Sequence, residues 1–207
     1  MRKLISSIGL IAGMAVATPA VHASTLTQTL TRCDSTFFNE IYHQRAKLSR
    51  VAPLTLNKHS QAWFKAPEDG NRTIWFAQPL HELNLTVSGY YLQTSNLDEI
   101  NYGKYHYWGL IFKESQEEVM SRLDHLSWKK AGDDYVSQTM IKINPTSEWE
   151  DNAQAVSGIA PAKESTEKLL MLSKSKDGTL LLCTVQGNVT PDMLTTLRPD
   201  LSAGDAK

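Results

Sequence analysis

Glu82-Leu83-Asn84-Leu85-Thr86-Val87-Ser88-Gly89-Tyr90-Tyr91-Leu92 is the stretch that decides the class of fold. Leu83, Leu85, Val87, Gly89 and Tyr91 alternate with Glu82, Asn84, Thr86, Ser88 and Tyr90. A period of two turns one face of a strand toward a core and the other toward water, the pattern of an antiparallel sheet.

Further strands follow on either side. Leu54, Leu56, Trp63, Ile74 and Phe76 fall in short segments separated by Pro53, residues 66–71 and Pro79. Residues 104–112, then Trp128 and 135–143, then 168–174 and 179–186 read as strands, the last two flanking Asp177-Gly178, a type I′ hairpin signal. Residues 24–32 are a polar lead-in, and residues 144–166 form a long polar loop of the kind that is functional or disordered.

Helices bracket these strands. Phe37, Phe38, Ile41, Tyr42 and Leu48 share one side of a helix over 34–49, with Asp34 or Ser35 as cap. Ser115-Gln116-Glu117-Glu118 is a capping box that opens a helix burying Val119, Met120, Leu123 and Leu126. Thr190-Pro191-Asp192 opens a short helix through Met193, Leu194 and Leu197. The expectation is one α+β domain over 24–198, an antiparallel sheet packed against helices, followed by a flexible tail at 199–207. The element order also fits two similar helix-plus-sheet halves, without a residue-level repeat to support them.

The first residues set the compartment. Arg2 and Lys3, an apolar run from Leu4 to about Ala17, and Val21-His22-Ala23 make the charged head, apolar core and small-residue end of a signal peptide, with cleavage expected after Ala23. The apolar run is shorter than the roughly 20 residues that span a bilayer. Without these residues the chain carries 19 basic against 22 acidic residues and no basic block, which argues against nucleic acid and anionic membranes as partners. A periplasmic or secreted setting lets the two cysteines, Cys33 and Cys183, pair with each other, the alternative being two buried free thiols. No cofactor or metal is expected, because two separated cysteines without nearby histidine do not make a zinc site.

The capped helix Ser115-x-x-Glu118-Val119-x-x-x-Leu123 before meandering strands, residues 109–143, resembles one repeat of the BLIP-like proteins. These are α/β repeats of secreted β-lactamase inhibitors and of small lipoproteins of outer-membrane assembly. The resemblance implies a fold and a setting, and no functional residue is carried over. The chain departs from that pattern in lacking the lipoprotein cysteine and the Gly-Pro end of the helix.

Catalytic motifs are sparse. There is no G-x-S-x-G, H-E-x-x-H, P-loop or G-x-G-x-x-G. S-x-x-K occurs at Ser127, Ser165 and Ser173, none at the start of a helix. Asp124 and His125 are helix neighbours that point about 100° apart. His43, His59, His81 and His106 have no ligand spacing and read as satisfied surface or core residues. Two features remain for binding. Tyr102, Tyr105, Tyr107 and Trp108 cluster on one strand, where Tyr105 and Tyr107 share one face and Trp108 takes the other, so only one set can be core. Trp149, inside Glu148-Trp149-Glu150-Asp151, is either tucked back on the fold or offered to the basic cleft of another protein. The leading expectation is therefore a non-enzymatic exported protein that binds another envelope or secreted protein as inhibitor, immunity factor or assembly accessory. A small periplasmic hydrolase with a site assembled only in the fold, or a carrier of a small apolar ligand, are the alternatives.

Overall fold

A computed structural model describes residues 24–70, 72–155 and 161–201, so the signal segment expected at 1–23 lies outside the described residues. The architecture is α+β. An eight-stranded antiparallel sheet carries helices on one face, and a two-stranded hairpin, β1 (Leu54–Leu56) with β2 (Ala62–Phe64), stands beside it.

The large sheet is two meanders joined at their last strands. β3 (Thr73–Glu82), β4 (Leu85–Leu97) and β5 (Gly103–Phe112) form one, and β6 (Lys129–Ala131), β7 (Asp134–Lys142), β9 (Thr166–Ser175) and β10 (Gly178–Gly187) form the other. β5 and β10 pair along their whole lengths, from Lys104 opposite Gly187 to Phe112 opposite Thr179. The short β8 (Glu150–Asp151) adds to β7. Each meander follows helical chain: α1 (Leu26–Leu30), α2 (Thr36–His43) and α3 (Arg45–Leu48) precede the first, and α4 (Gln116–Arg122) precedes the second. The two strands at the centre approach so closely that a Cβ on Gly109 would lie 2.0 Å from the Leu181 carbonyl oxygen.

The alternation over 82–92 is real but changes phase. Leu83 and Asn84 are the two left-handed residues of a tight turn that pairs Glu82 with Leu85, so the strand begins three residues later than its alternation suggests. A bulge between Val87 and Gly89 then shifts the register against β5, which sends Tyr90 into the core beside Leu85 and Val87 and turns Tyr91 to the opposite face. The second hairpin also slips by one residue. Its turn is Lys176-Asp177, neither at positive φ, and Gly178 is the first strand residue.

Three other expectations are corrected. Residues 24–32 are not merely a polar lead-in: Thr25 and Gln28 form a capping box for α1, whose Leu26 and Leu30 are fully buried. The Leu26 and Thr27 amides and the Thr27 hydroxyl donate to the buried Glu82 carboxylate, which fixes α1 to the end of β3. The expected helix over 34–49 is broken at Gln44 into α2 and α3, with the Asp34 carboxylate accepting the Thr36 amide at 2.8 Å. The tail does not begin at 199: Arg198 and Asp200 form a bidentate ion pair at 2.7 and 2.8 Å, and Leu201 packs against the core.

The cysteines are bonded as expected. Cys33, between α1 and α2, meets Cys183 on the central strand β10 with a Cα–Cα distance of 5.2 Å, and both are buried. Cys183 lies directly opposite Trp108 on β5 and Leu170 on β9, so the bridge pins the helical layer to the middle of the sheet. Around it one core gathers Phe37, Phe38, Ile41, Phe64, Tyr90, Trp108, Phe112, Leu172 and the buried side of α5 (Pro191–Leu197).

Candidate functional site

Because successive strand residues point to opposite faces, the residues between the core positions line a second, helix-free face. On β5 these are Tyr105 and Tyr107, alternating with the buried His106 and Trp108. Register supplies their neighbours. Tyr107 stands between Gln93 of β4 and Thr184 of β10, and Tyr105 between Ser95 and Gln186. Gln186 in turn lies opposite Glu167 of β9.

The two rings stack with centroids 6.4 Å apart and an interplanar angle of 18°. They are half-buried, and neither hydroxyl is hydrogen-bonded to a described residue. Polar side chains flank them on both sides. Toward β4, the Tyr91 hydroxyl donates to Gln93 Oε1 at 2.6 Å, Arg72 donates to the same oxygen at 3.1 Å, and Gln93 Nε2 donates to the Ser95 hydroxyl. Toward β9, Gln186 Nε2 and Asn152 Nδ2 each donate at 2.6 Å to one oxygen of the Glu167 carboxylate, while Thr184 donates to Gln186 Oε1.

Glu167 is 3% exposed, and burial raises its pKa above the ordinary carboxylate value against the lowering effect of the two amide donors. Burial also pushes the Tyr105 phenol up, with the nearby Glu167 charge adding to the shift, and the Tyr107 phenol rises for the same first reason beside Tyr105 and Tyr91. Tyr105 and Tyr107 therefore keep their protons near neutrality and offer O–H donors. Both Glu167 oxygens are engaged by amides, and the serine of the row, Ser95, accepts from Gln93 Nε2. The row presents aromatic area and hydrogen-bonding groups side by side.

The row continues to an exposed tip. β4 and β5 pair as far as Leu97 opposite Gly103, and the connecting turn carries Ile100 at 59% and Tyr102 at 54% exposure. Tyr102 lies close enough to raise the Tyr105 phenol further. A cavity of about 150 Å³ opens beside it, walled by Asp98, Lys163, Glu164 and Asn188. Tyr102, Tyr105 and Tyr107 thus form one continuous ridge with Tyr91.

Trp149 is elsewhere. Its ring is half-buried against the helix-side core, with the Lys142 and Lys168 ammonium groups 5.6 and 5.4 Å from its centroid. It walls a groove of about 470 Å³ with Thr190, Met193 and Leu197. The ring is folded back on the protein, while Glu148 and Glu150 face solvent. The four aromatic candidates therefore divide into a ridge of three tyrosines and a separate tryptophan.

Sequence reading passed over Tyr91, Gln93, Asn152, Glu167 and Gln186. One signal was available: Thr184 and Gln186 interrupt the apolar run of β10 two residues apart, on a strand buried along both faces. Among the described residues no cluster of histidine, cysteine or carboxylate side chains could hold a metal ion. Neither a family model, nor a curated protein, nor a solved structure matches the chain.

Proposed function

We propose that the chain is a non-enzymatic, exported protein that binds another envelope or secreted protein through the tyrosine ridge of its helix-free face. The observation that carries the reading is the stacked pair Tyr105 and Tyr107, backed by a polar network on both sides and running out to Tyr102 and Ile100 at the tip. Rigid aromatic rings bury large area at small entropic cost, which is why such residues dominate binding energy at interfaces. The strands beneath keep the ridge from having to order itself on binding.

Export is part of the same proposal. It rests on the signal-like residues 1–23 and is supported by the buried Cys33–Cys183 bridge, which belongs to an oxidising compartment. Among the described residues no helix is long and apolar enough to cross a membrane. The resemblance of residues 109–143 to a BLIP-like repeat is consistent with the same exported setting.

The test is direct. Proteins retained from envelope extracts are identified by mass spectrometry, and the one retained is purified and titrated calorimetrically. Tyr105→Ala and Tyr107→Ala are each expected to cost about 2 kcal/mol, roughly a 30-fold loss of affinity, whereas Trp149→Ala keeps the affinity of the native chain. Undiminished binding by both tyrosine variants removes the ridge as the interface.

A further inference from the structure

Four buried polar atoms without a hydrogen-bond partner among the described residues lie around the Arg198–Asp200 pair on the inner face of the sheet. They are Tyr90 OH on β4, His106 Nε2 and Trp108 Nε1 on β5, and Arg198 Nη1 just beyond α5. Arg198 is completely buried, with its guanidinium 4.8 Å from the centroid of the Trp108 ring. Native interiors leave few such atoms unpaired, because each forfeits its bonds to water.

The ion pair at this place does not fasten the chain to the sheet. The partner of Arg198 is Asp200, two residues away on the same segment, so the pair moves as a unit. What holds residues 198–201 down is the stacking on Trp108, the packing of Leu201 against the core, and two short-range amide bonds, Arg198 to the Leu194 carbonyl and Leu201 to the Arg198 carbonyl. Lifting the segment would return all four orphaned atoms to water. An element with so little net gain in its closed position belongs to the low-stability end of a structure.

His106 supplies a trigger. Its Nδ1 lies 3.2 Å from the Thr94 hydroxyl on β4, and the ring is 4% exposed. The charged groups around it are Lys104 on its own strand, and Arg198 and Asp200 on the covering segment; its neighbours are Thr94 on β4 and the uncharged Val185 on β10. We infer that residues 198–201 are an acid-released latch: a proton taken up by His106 sets a second cation beside the buried Arg198, and the segment leaves the inner face of β4 and β5 for water.

The sign and size follow from linkage. Burial first, then Arg198 and Lys104, lower the His106 pKa from 6.5 to about 4 in the closed form, with Asp200 opposing. A histidine released to water regains its ordinary value. Closure is then at full strength above pH 6.5 and weakens as the pH falls toward 4. At pH 5 the ratio of closed to open latch is lower by about 30-fold, and the limit at lower pH is about 300-fold.

Hydrogen exchange of the whole oxidised chain, read by mass spectrometry and corrected for the intrinsic rate at each pH, tests the latch. Protection of the peptide spanning 190–201 should fall about 20-fold between pH 7 and pH 5 while β5 and β10 keep theirs. His106→Gln, which stays neutral, should hold the latch equally at both pH values. Asp200→Asn, which leaves Arg198 buried without a counter-charge, should open it already at pH 7. Constant protection in the native chain, an equal fall in His106→Gln, or native protection of Asp200→Asn at pH 7 would each overturn the inference.

Discussion

Replacing both half-cystines, Cys33→Ala with Cys183→Ala, should be the most damaging conservative change in the molecule, because the bridge closes a separation of 150 residues. In the chain-entropy treatment a loop of that size confines the unfolded chain enough to be worth about 5 kcal/mol, an upper figure for a bridge in an unstrained setting. For a domain of this length each kcal/mol moves the melting temperature by about 2–4 °C, so the variant should melt roughly 10–20 °C below the oxidised parent. The bridge also joins the α1–α2 junction to the central strand, so its loss should be felt by the helical layer first. The assay is guanidinium unfolding followed by far-UV circular dichroism, with midpoint and slope fitted together. Without the cross-link the unfolded chain expands, and the slope should steepen as stability falls. A loss below about 1 kcal/mol with an unchanged slope would refute the reasoning, since it would mean that the bridge does not restrain the unfolded chain.

Other consequences are equally specific. Gly109→Ala drives a methyl group into the Leu181 carbonyl across the centre of the sheet and should destabilise by about 3 kcal/mol, measured by urea unfolding, with the ridge tyrosines left in place. Leu30→Ala empties a fully buried position of α1 and should cost about 3 kcal/mol; a loss under about 0.5 kcal/mol would show that the first helix is not part of the core. Glu167 has a raised pKa in the folded chain, so its contribution is fully present below the ordinary carboxylate pKa and is lost as the pH rises through the raised one. The stability of the native chain relative to Glu167→Gln should therefore decline between pH 4 and pH 7, and a rising difference would contradict the burial of that carboxylate.

What could be read in the sequence was local. The Ser115 capping box, the hairpin signalled by Asp177-Gly178, whose turn falls one residue earlier, and the Thr190-Pro191 helix start each depend on a few adjacent residues, and each is present. The assignment of Trp108 to one face and of Tyr105 and Tyr107 to the other followed from strict alternation and holds, because β5 pairs without interruption over that stretch. Alternation failed where pairing is interrupted. The bulge at Val87 and Gly89 exists only in relation to β5, so nothing in 82–92 alone announces that Tyr90 and not Tyr91 is buried. Five residues of α1 are too few for a helical period to stand out, and its capping box uses glutamine within a threonine-rich segment. The Glu167 network draws on β9, β10 and the chain after β8, three segments whose proximity is set by register and not by spacing.

The binding face itself is tested most directly by a photoreactive phenylalanine analogue placed at Tyr105 in one chain and at Trp149 in another, with both irradiated in living cells that export the protein. A single discrete adduct from position 105, absent from position 149, is the predicted result. Adducts from position 149 alone would contradict it and move the interface to the helix side of the sheet.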